Sequence, residues 1–405
     1  MSELKPYETA TRFWPNNSTT HILERNLYIA KTFAGLEPVL ADEIRALGGV
    51  AVREIKRGVS FEGDDRLLYR AHYELRTALR ILIPIHSFPA YDERSLYNAV
   101  REVEWSDFMR VSDTLAVDAT VRSEVFRHSQ YTALLTKDAI VDQFRDNTMR
   151  RPDVNTVAPT LRINLHIQGT HCDLSLDATD DSLHRRGYRR DTVEAPLNEV
   201  LAAGMVLHSG WRGGSSFADP MCGSGTLPIE AAMIALNMPP QHKRALFGFH
   251  RWPDFQQKLW QSVKKEADDK AAQSFDFQIF ASDKDVRARN ATAVNIMSSG
   301  LESVIQVDKM PFEKCVPPES PGTLITNPPY DERLQVDDLA AFYRSIGDGL
   351  KQRWAGWDAW LISSNREALK NVGLRASRKI TLFNGALECS FQKFELYEGT
   401  KEATG

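Results

Sequence analysis

The chain has 405 residues, of which 42% are hydrophobic and 26% are charged, and its formal net charge is −4. This length favours two or three domains, and the net charge argues against a uniformly basic nucleic-acid-binding surface. No apolar run reaches membrane-spanning length and the N-terminus lacks a signal-peptide core, so we expect a cytoplasmic protein. Four widely spaced cysteines, Cys172, Cys222, Cys315 and Cys389, form no metal or disulfide pattern, which fits a reducing compartment.

The N-terminal half predicts two small α+β units behind a polar tail. Residues 1–26 form the tail, residues 27–90 the first unit and residues 91–180 the second unit. Their hydrophobic periodicity predicts strands at 27–32, 50–55, 58–62, 81–87, 115–122, 160–168 and 171–176. It also predicts helices at 35–44, 64–79, 92–102 and 130–147, the last with a buried face of Tyr131, Leu134, Leu135, Ile140, Val141 and Phe144.

A strand, a tight glycine turn and an apolar helix are predicted over residues 215–236. Glycines let a ligand approach the backbone, and a helix N-terminus offers free N–H groups, so we expect a nucleotide-like cofactor there. Pro228 stands where a dinucleotide motif needs a third glycine, and no Gly-Lys-Ser/Thr phosphate loop is present. An acid beside a glycine turn suits S-adenosylmethionine better. The expected cofactor-binding residues of this segment are Asp219, Pro220, Cys222, Gly223, Gly225 and Thr226, with Cys222 a small packed residue rather than a nucleophile.

Three acids follow three predicted strands. Asp219, Asp283 and Asp308 each end a strand, and the carboxyl ends of strands in an open α/β sheet face one crevice. We expect Asp283 to bind the ribose hydroxyls and Asp285 to cap the following helix. Asp308 either holds the adenine amino group or merely ends its strand.

The tetrapeptide Asn327, Pro328, Pro329 and Tyr330 directly follows a short apolar strand at 323–326. Consecutive prolines lack N–H groups and keep the backbone extended, so carbonyl oxygens and the Asn327 amide can face a pocket as acceptors. Tyr330 can stack on a flat ring. This set predicts methyl transfer to a nucleobase amine, with Asn327 also next to the cofactor. An ordinary loop turn is the alternative, and the tetrapeptide does not separate an adenine amine from a guanine amine.

An arginine-rich segment, residues 184–190, lies just before the catalytic domain. Its arginines and rings suit phosphate contacts and base stacking, and a solvated loop with salt bridges is the alternative. Basic residues lie along the helix at 130–147 and just after it, and acidic residues alternate with them on the helix. By charge alone, this pattern favours a solvated surface over an RNA-binding groove. The RNA-binding candidates are Arg185, Arg186, Tyr188, Arg189, Lys137 and Arg151.

The catalytic domain is predicted to span residues 181–397, before a tail at 398–405. A helix at 195–205 is expected to lie over the cofactor crevice. An insertion at 238–274 carries an amphipathic helix, which either caps the substrate or packs through its aromatic residues, the expectation for Trp260. Strands at 359–363, 379–383 and 387–395 complete a doubly wound, Rossmann-like α/β sheet with a C-terminal antiparallel edge hairpin.

Three motifs together resemble those of the THUMP-domain ribosomal RNA guanine-N2 methyltransferases. They are residues 183–189, residues 219–226, and residues 327–330 followed by Glu332, Arg333 and Leu334. The resemblance covers residues 27–394 and implies a ferredoxin-like first unit, a THUMP second unit that docks structured RNA by its shape, and a methyltransferase domain. It also implies S-adenosylmethionine as cofactor, no metal, and N2-methylguanine in large-subunit (23S) ribosomal RNA as product.

The resemblance places Asp219, Gly223, Gly225 and Asp283 at the cofactor and residues 327–330 at the target base. Asp331 stands where the family pattern has glycine, and Asp tolerates left-handed backbone geometry. Some members continue into a second methyltransferase domain, whereas this sequence has no second glycine turn and no second Asn-Pro-Pro-Tyr, so one activity is expected of it. The alternatives are an adenine-N6 nucleic-acid methyltransferase and a catalytically silent RNA-binding ribosome-assembly factor; an NAD-linked oxidoreductase fits least.

Overall fold

The computed structural model describes residues 26–193, 196–317, 321–329 and 336–397, which form an eight-stranded sheet and a seven-stranded sheet. Within these residues, no helix combines the length and apolar composition needed to cross a membrane.

The N-terminal half is built on the eight-stranded sheet, in the order β2-β3-β1-β4-β8-β7-β5-β6. Its strands are β1 Asn26–Lys31, β2 Val50–Ile55, β3 Gly58–Gly63, β4 Arg80–Pro89, β5 Thr114–Arg122, β6 Asp153–Val154, β7 Leu161–Gln168 and β8 His171–Asp177. Its helices are α1 Glu37–Ala46, α2 Asp65–Glu74, α3 Glu93–Glu102 and α4 Ser129–Thr148. Because β4 pairs with β1 at one end and with β8 along most of its length, the two units predicted from sequence share one sheet.

Helix α4 buries Ile140, Val141 and Phe144 as predicted, and it departs from the prediction in its N-terminal half. Tyr131 is 49% exposed and Leu134 is 52% exposed, so their placement in the core is wrong. The buried residues instead follow the three-and-four spacing of Thr132, Thr136 and Ala139 into the C-terminal half of the helix. Two hydroxyls of this face, those of Thr132 and Thr136, donate to backbone carbonyls one turn earlier, so their polar atoms are satisfied where they are buried.

The C-terminal half is built on the seven-stranded sheet, in the order β11-β10-β9-β12-β13-β15-β14. Its strands are β9 Ser216–Asp219, β10 Ile279–Asp283, β11 Ile305–Lys309, β12 Gly322–Thr326, β13 Trp357–Ser363, β14 Arg378–Asn384 and β15 Leu387–Glu395. Its helices are α5 Glu199–Ser209, α6 Thr226–Ala235, α7 Gln257–Asp269, α8 Val286–Ser299, α9 Val336–Arg353 and α10 Arg366–Lys370.

The first five strands of this sheet are parallel, and β15 runs antiparallel between β13 and β14. The doubly wound fold and its antiparallel hairpin are therefore confirmed. The order of strands reverses between β9 and β12, and such a switch point is where open α/β sheets bind ligands, at the carboxyl ends of the strands.

The insertion packs on the N-terminal half. Helix α7 lies against α2, and the ring of Trp260 meets the rings of Tyr69 and Tyr73 edge to face at 6.1 and 5.5 Å. Trp260 is 9% exposed and belongs to the hydrophobic core of the N-terminal sheet together with Phe247 and Phe249. Its predicted packing role is confirmed, and the insertion ties the two halves of the molecule together.

Candidate active site

The glycine turn follows β9 at the switch point. Gly223 has φ +57° and Gly225 has φ +83°, a backbone region that side chains with a Cβ rarely adopt. A Cβ on Gly225 would also lie 2.8 Å from Thr292 Cγ2, so contact with α8 excludes a larger residue. Helix α6 begins at Thr226, directly after the turn, and leaves its first N–H groups at the crevice.

Two polar residues of α8 hold this turn in place. The Thr292 hydroxyl donates to the Gly223 carbonyl oxygen at 2.8 Å. Asn295 Nδ2 donates to the Ser224 carbonyl oxygen at 2.9 Å and to the Asp191 carbonyl oxygen at 2.8 Å. Both side chains are fully buried, and both were missed from the sequence. Their signal was a pair of polar residues, three apart, on the apolar face of a predicted amphipathic helix.

Asp219 and Asp283 lie on opposite sides of the turn. Asp219 is 1% exposed and accepts hydrogen bonds from Thr326 Oγ1 at 2.7 Å and from the Met221 N–H at 3.3 Å. Burial raises the pKa of Asp219 to about 7. Asp283 is half-buried and accepts the Gly223 N–H at 3.0 Å, and burial raises its pKa as well.

The other acids have simpler surroundings. Asp285 caps α8 by accepting the Arg287 N–H at 2.8 Å, so its predicted capping role is confirmed. Asp308 lies on β11 beside Ser282 of β10 and accepts a hydrogen bond from Gln306 Nε2 at 3.0 Å. Either of the roles expected for Asp308 fits this position.

The loop after β12 carries the acceptor expected from the sequence. Asn327 is half-buried, Pro328 is buried and Pro329 is exposed, whereas Tyr330 and Asp331 lie outside the described residues. Asn327 Oδ1 is buried and has no hydrogen-bond partner among the residues that the structure describes. Leaving a buried acceptor unpaired costs about 1–3 kcal/mol, so a donor on a bound ligand would be stabilised at this oxygen.

The remaining cofactor candidates are packed into the turn. Pro220 is buried, and Cys222 is 6% exposed with its Sγ 3.4 Å from Thr292 Oγ1. Burial raises the pKa of the Cys222 thiol well above its usual range, so the expectation of a packed residue rather than a nucleophile is confirmed. The Thr226 hydroxyl accepts a hydrogen bond from Arg189 Nη2 at 2.9 Å.

Two residues of the arginine-rich segment are buried instead of facing RNA. Arg186 and Tyr188 are each 1% exposed, so the prediction that they bind RNA is wrong. Arg186 Nε lies 3.4 Å from Glu230 Oε1 on α6, and the Tyr188 hydroxyl donates to the same oxygen at 3.2 Å. The Arg186 guanidinium also donates to the carbonyl oxygens of Leu183 and Arg76, so it joins the segment to both halves of the molecule.

Arg189 supports the glycine turn rather than facing outward. Its guanidinium donates to Glu199 Oε1 at 2.8 Å, to Ser224 Oγ at 2.9 Å, to Thr226 Oγ1 at 2.9 Å and to the Leu197 carbonyl oxygen at 3.0 Å. Every nitrogen of the guanidinium therefore has a partner within the protein, and this contradicts its predicted contact with RNA.

Three of the RNA-binding candidates remain on the surface. The Arg185 side chain is 67% exposed and lies 3.3 Å from the equally exposed Asp181. Lys137 pairs with its neighbour Asp138 on α4, and Arg151 is exposed beyond the end of that helix. Exposed pairs of this kind are weak and exchange readily with a phosphate, so contact of these three residues with RNA stays a prediction.

The fold and the site define a Rossmann-like methyltransferase domain that follows two smaller units along the chain. Three family matches agree with this class. Residues 186–393 match the RMKL-like methyltransferase domain, residues 90–177 the THUMP domain and residues 28–82 the RlmL ferredoxin-like domain. The chain belongs to the RMKL-like methyltransferase family.

Relatives cover nearly the whole chain. Ribosomal RNA large subunit methyltransferase K/L of Syntrophotalea carbinolica is 41% identical over 92% of this chain and 54% of its own length, so the chain spans about half of that relative. The Synechocystis protein slr0064 is 39% identical over 91% of this chain and 97% of its own. The crystal structure of SMU.472 complexed with SAH has a TM-score of 0.84 at 28% identity and covers 93% of this chain and 99% of its own.

Proposed function

We propose that the protein transfers a methyl group from S-adenosylmethionine to the exocyclic N2 amine of a guanine in large-subunit (23S) ribosomal RNA. The observation that carries this proposal is the buried Asn327 Oδ1, which has no partner among the described residues. It lies one residue after Thr326, whose hydroxyl is bonded to Asp219 beside the glycine turn. The name of the K/L relative supports ribosomal RNA of the large subunit as the substrate.

The residues around the glycine turn fit the cofactor. Gly223 and Gly225 leave the backbone open to a ligand, and the N–H groups at the start of α6 suit its carboxylate. Asp219 and Asp283 are two partly desolvated carboxyls that a positively charged ligand would stabilise in the ionised form. When bound, S-adenosylmethionine supplies a methyl group that is already activated on a sulfonium. The protein therefore has to position the methyl group and the target amine rather than activate the methyl group.

The acceptor side is supplied by the loop after β12. Asn327 Oδ1 accepts one N–H of the guanine amine, and the Pro328 carbonyl oxygen accepts the other. Both bonds orient the amine and concentrate electron density on its nitrogen. Holding the amine and the methyl group in the reactive geometry contributes a large part of the rate enhancement. From the sequence we add Tyr330 as the ring that stacks on the base, and a proton leaves the amine after transfer.

The N-terminal half supplies RNA binding in this proposal. Arg185 and Arg151 are exposed cations and Lys137 is partly exposed, so all three can contact phosphates. The target guanine has to leave its stack to reach the crevice, at a cost of a few kcal/mol. Binding energy from contacts remote from the base offsets this cost, which is a use for an RNA-binding half that packs on the catalytic half.

The test is the identity of the product. Unmodified large-subunit ribosomal RNA is incubated with the protein and S-adenosylmethionine, digested to nucleosides and analysed by mass spectrometry. We expect N2-methylguanosine, and its absence in a parallel reaction with Asn327→Ala. N6-methyladenosine would instead support the adenine alternative, and cofactor binding without any methylated nucleoside would support an RNA-binding assembly factor.

A further inference from the structure

A buried side-chain bond joins the two strands that flank the crevice. Thr326 Oγ1 donates to Asp219 Oδ1 at 2.7 Å, and the two residues are 0% and 1% exposed. The parallel ladder between β9 and β12 ends at the pair Ala218 and Leu324. The Thr326–Asp219 bond therefore lies beyond the last paired residues of the two strands, where the switch point opens and no backbone ladder fixes their separation.

The same carboxylate oxygen reaches the glycine turn. Asp219 Oδ1 also accepts the Met221 N–H at 3.3 Å, and the next residue, Cys222, donates its N–H to the Ser282 carbonyl oxygen of β10 at 3.0 Å. One oxygen thus connects the turn on one side of the crevice with the end of β12 on the other. Asn327 is the residue that directly follows that end, so its placement depends on this connection.

We propose that Thr326 is a positioning residue, whose hydroxyl holds the end of β12 against the glycine turn and thereby fixes Asn327 relative to the methyl donor. This inference rests on the proposed function. Hydrogen bonds to a carboxylate are short and roughly twice as strong as those between neutral groups, so this bond can fix the end of β12 relative to the glycine turn. A valine in place of Thr326 fills the same space and lacks only the donor, so it separates the bond from the packing.

The Thr326–Asp219 hydrogen bond also affects the pKa of Asp219. The hydrogen bond from Thr326 lowers the pKa of Asp219 and opposes the larger effect of burial. Asp283 of β10 faces the same carboxyl and raises its pKa, and the Cys222 thiol beside it is uncharged. Removal of the Thr326 donor should therefore raise the pKa of Asp219 further, an effect that a purely structural defect elsewhere would not produce.

The test compares Thr326→Val with Thr326→Ser, which keeps the hydroxyl. For Thr326→Val we expect a fall in kcat of about tenfold or more, the loss of roughly one charge-assisted hydrogen bond, with the KM for RNA unchanged. We also expect the pH midpoint of cofactor affinity, measured by calorimetry with S-adenosylmethionine, to move upward. Thr326→Ser should restore both values. Wild-type values for Thr326→Val, or an equal loss for Thr326→Ser, would overturn the proposal.

The calorimetric measurement separates this inference from the proposed function. If the wild-type protein methylates no RNA, the proposed function fails. An upward shift of the pH midpoint of cofactor affinity in Thr326→Val would still support the Thr326–Asp219 bond beside the cofactor. If the wild type produces N2-methylguanosine and Thr326→Val matches it in kcat and in the pH midpoint, the proposed function is supported and the positioning role of Thr326 is wrong. Thermal unfolding of both variants checks that each remains folded.

Discussion

The crevice and the arginine-rich segment, residues 184–190, differ in whether a buried charged group meets an opposite charge inside the protein. In the crevice, Asn327 Oδ1 is buried without a partner among the described residues, and the pKa of Asp219 is raised by burial. In the segment, the Arg186 guanidinium is equally buried, yet it faces Glu230 and donates to two backbone carbonyls. A buried cation that meets an acid inside the protein supports the architecture, whereas the buried carboxyl of Asp219, bonded to the Thr326 hydroxyl and the Met221 N–H, is available to a positively charged ligand.

The largest expected effect is on stability at the arginine-rich segment. Arg186→Ala should lower the free energy of unfolding by about 3–5 kcal/mol, because it breaks the ion pair of the fully buried Glu230. Arg185→Ala is the matched control, since its side chain is 67% exposed and its removal should change stability by no more than about 0.5 kcal/mol. Denaturant unfolding measures both, and equal effects would contradict the assignment of Arg186 to the interior.

The next effect concerns the shape of the glycine turn. Gly225→Ala should weaken cofactor binding about tenfold, because it adds left-handed strain of about 1–2 kcal/mol and a contact of 2.8 Å with Thr292. Gly210→Ala is the control: Gly210 has φ +86° at the end of α5, and a Cβ there meets nothing within 4 Å. Calorimetry with S-adenosylmethionine compares the two variants, and comparable losses in both would show that the effect is not specific to the glycine turn.

A pH dependence of cofactor binding should follow from Asp219. The ionised carboxylate attracts the positively charged ligand, and the pKa of the free site is about 7, so binding below pH 7 must release a proton. Affinity should therefore fall as the pH decreases from 8 to 6, by up to about tenfold per pH unit below the pKa. The raised pKa of Asp283 acts in the same direction. Asp219→Asn should flatten the profile, and an unchanged profile would assign the dependence to another group.

The smallest expected effect is on RNA binding by the three RNA-binding candidates that reach the surface. Replacement of Arg185, Lys137 or Arg151 by Ala should weaken RNA binding about equally for different sequences and reduce the slope of log affinity against log salt by about 1 each. Lys265→Ala on α7, also highly exposed, provides the comparison. A salt series by fluorescence anisotropy measures the slopes. Loss of slope in the Lys265 variant alone would place the RNA on a different face.

The elements of the crevice could be predicted from the sequence because their signals are local. The strand, glycine turn and helix at 215–236 form one continuous pattern, Asp283 ends a short apolar strand and Asn327 directly follows another. Parallel strands bring such endings to one edge of the sheet, so the grouping followed from the fold class. Thr326 was missed because its donor role depends on Asp219, which lies 107 residues away.

The arginine-rich segment could not be assigned in the same way. Its composition suited both RNA contact and burial, and the partner that decides between them, Glu230, lies 44 residues from Arg186. A signal was present on α6, where Glu230 is the single acid in an otherwise apolar helix and therefore requires a buried cation. Sharing of β4 by two predicted units and the packing of α7 on α2 likewise depend on contacts between distant parts of the chain.

The most direct test is single-turnover methyl transfer by Asn327→Ala, with S-adenosylmethionine affinity measured on the same sample. We predict that transfer to ribosomal RNA slows by about 100-fold or more, the scale of losing one group that positions the transition state, while cofactor affinity stays unchanged. Asn371→Ala, which removes an asparagine at the C-terminal end of α10, should leave both values at the wild-type level. A wild-type rate of transfer for Asn327→Ala would contradict the account.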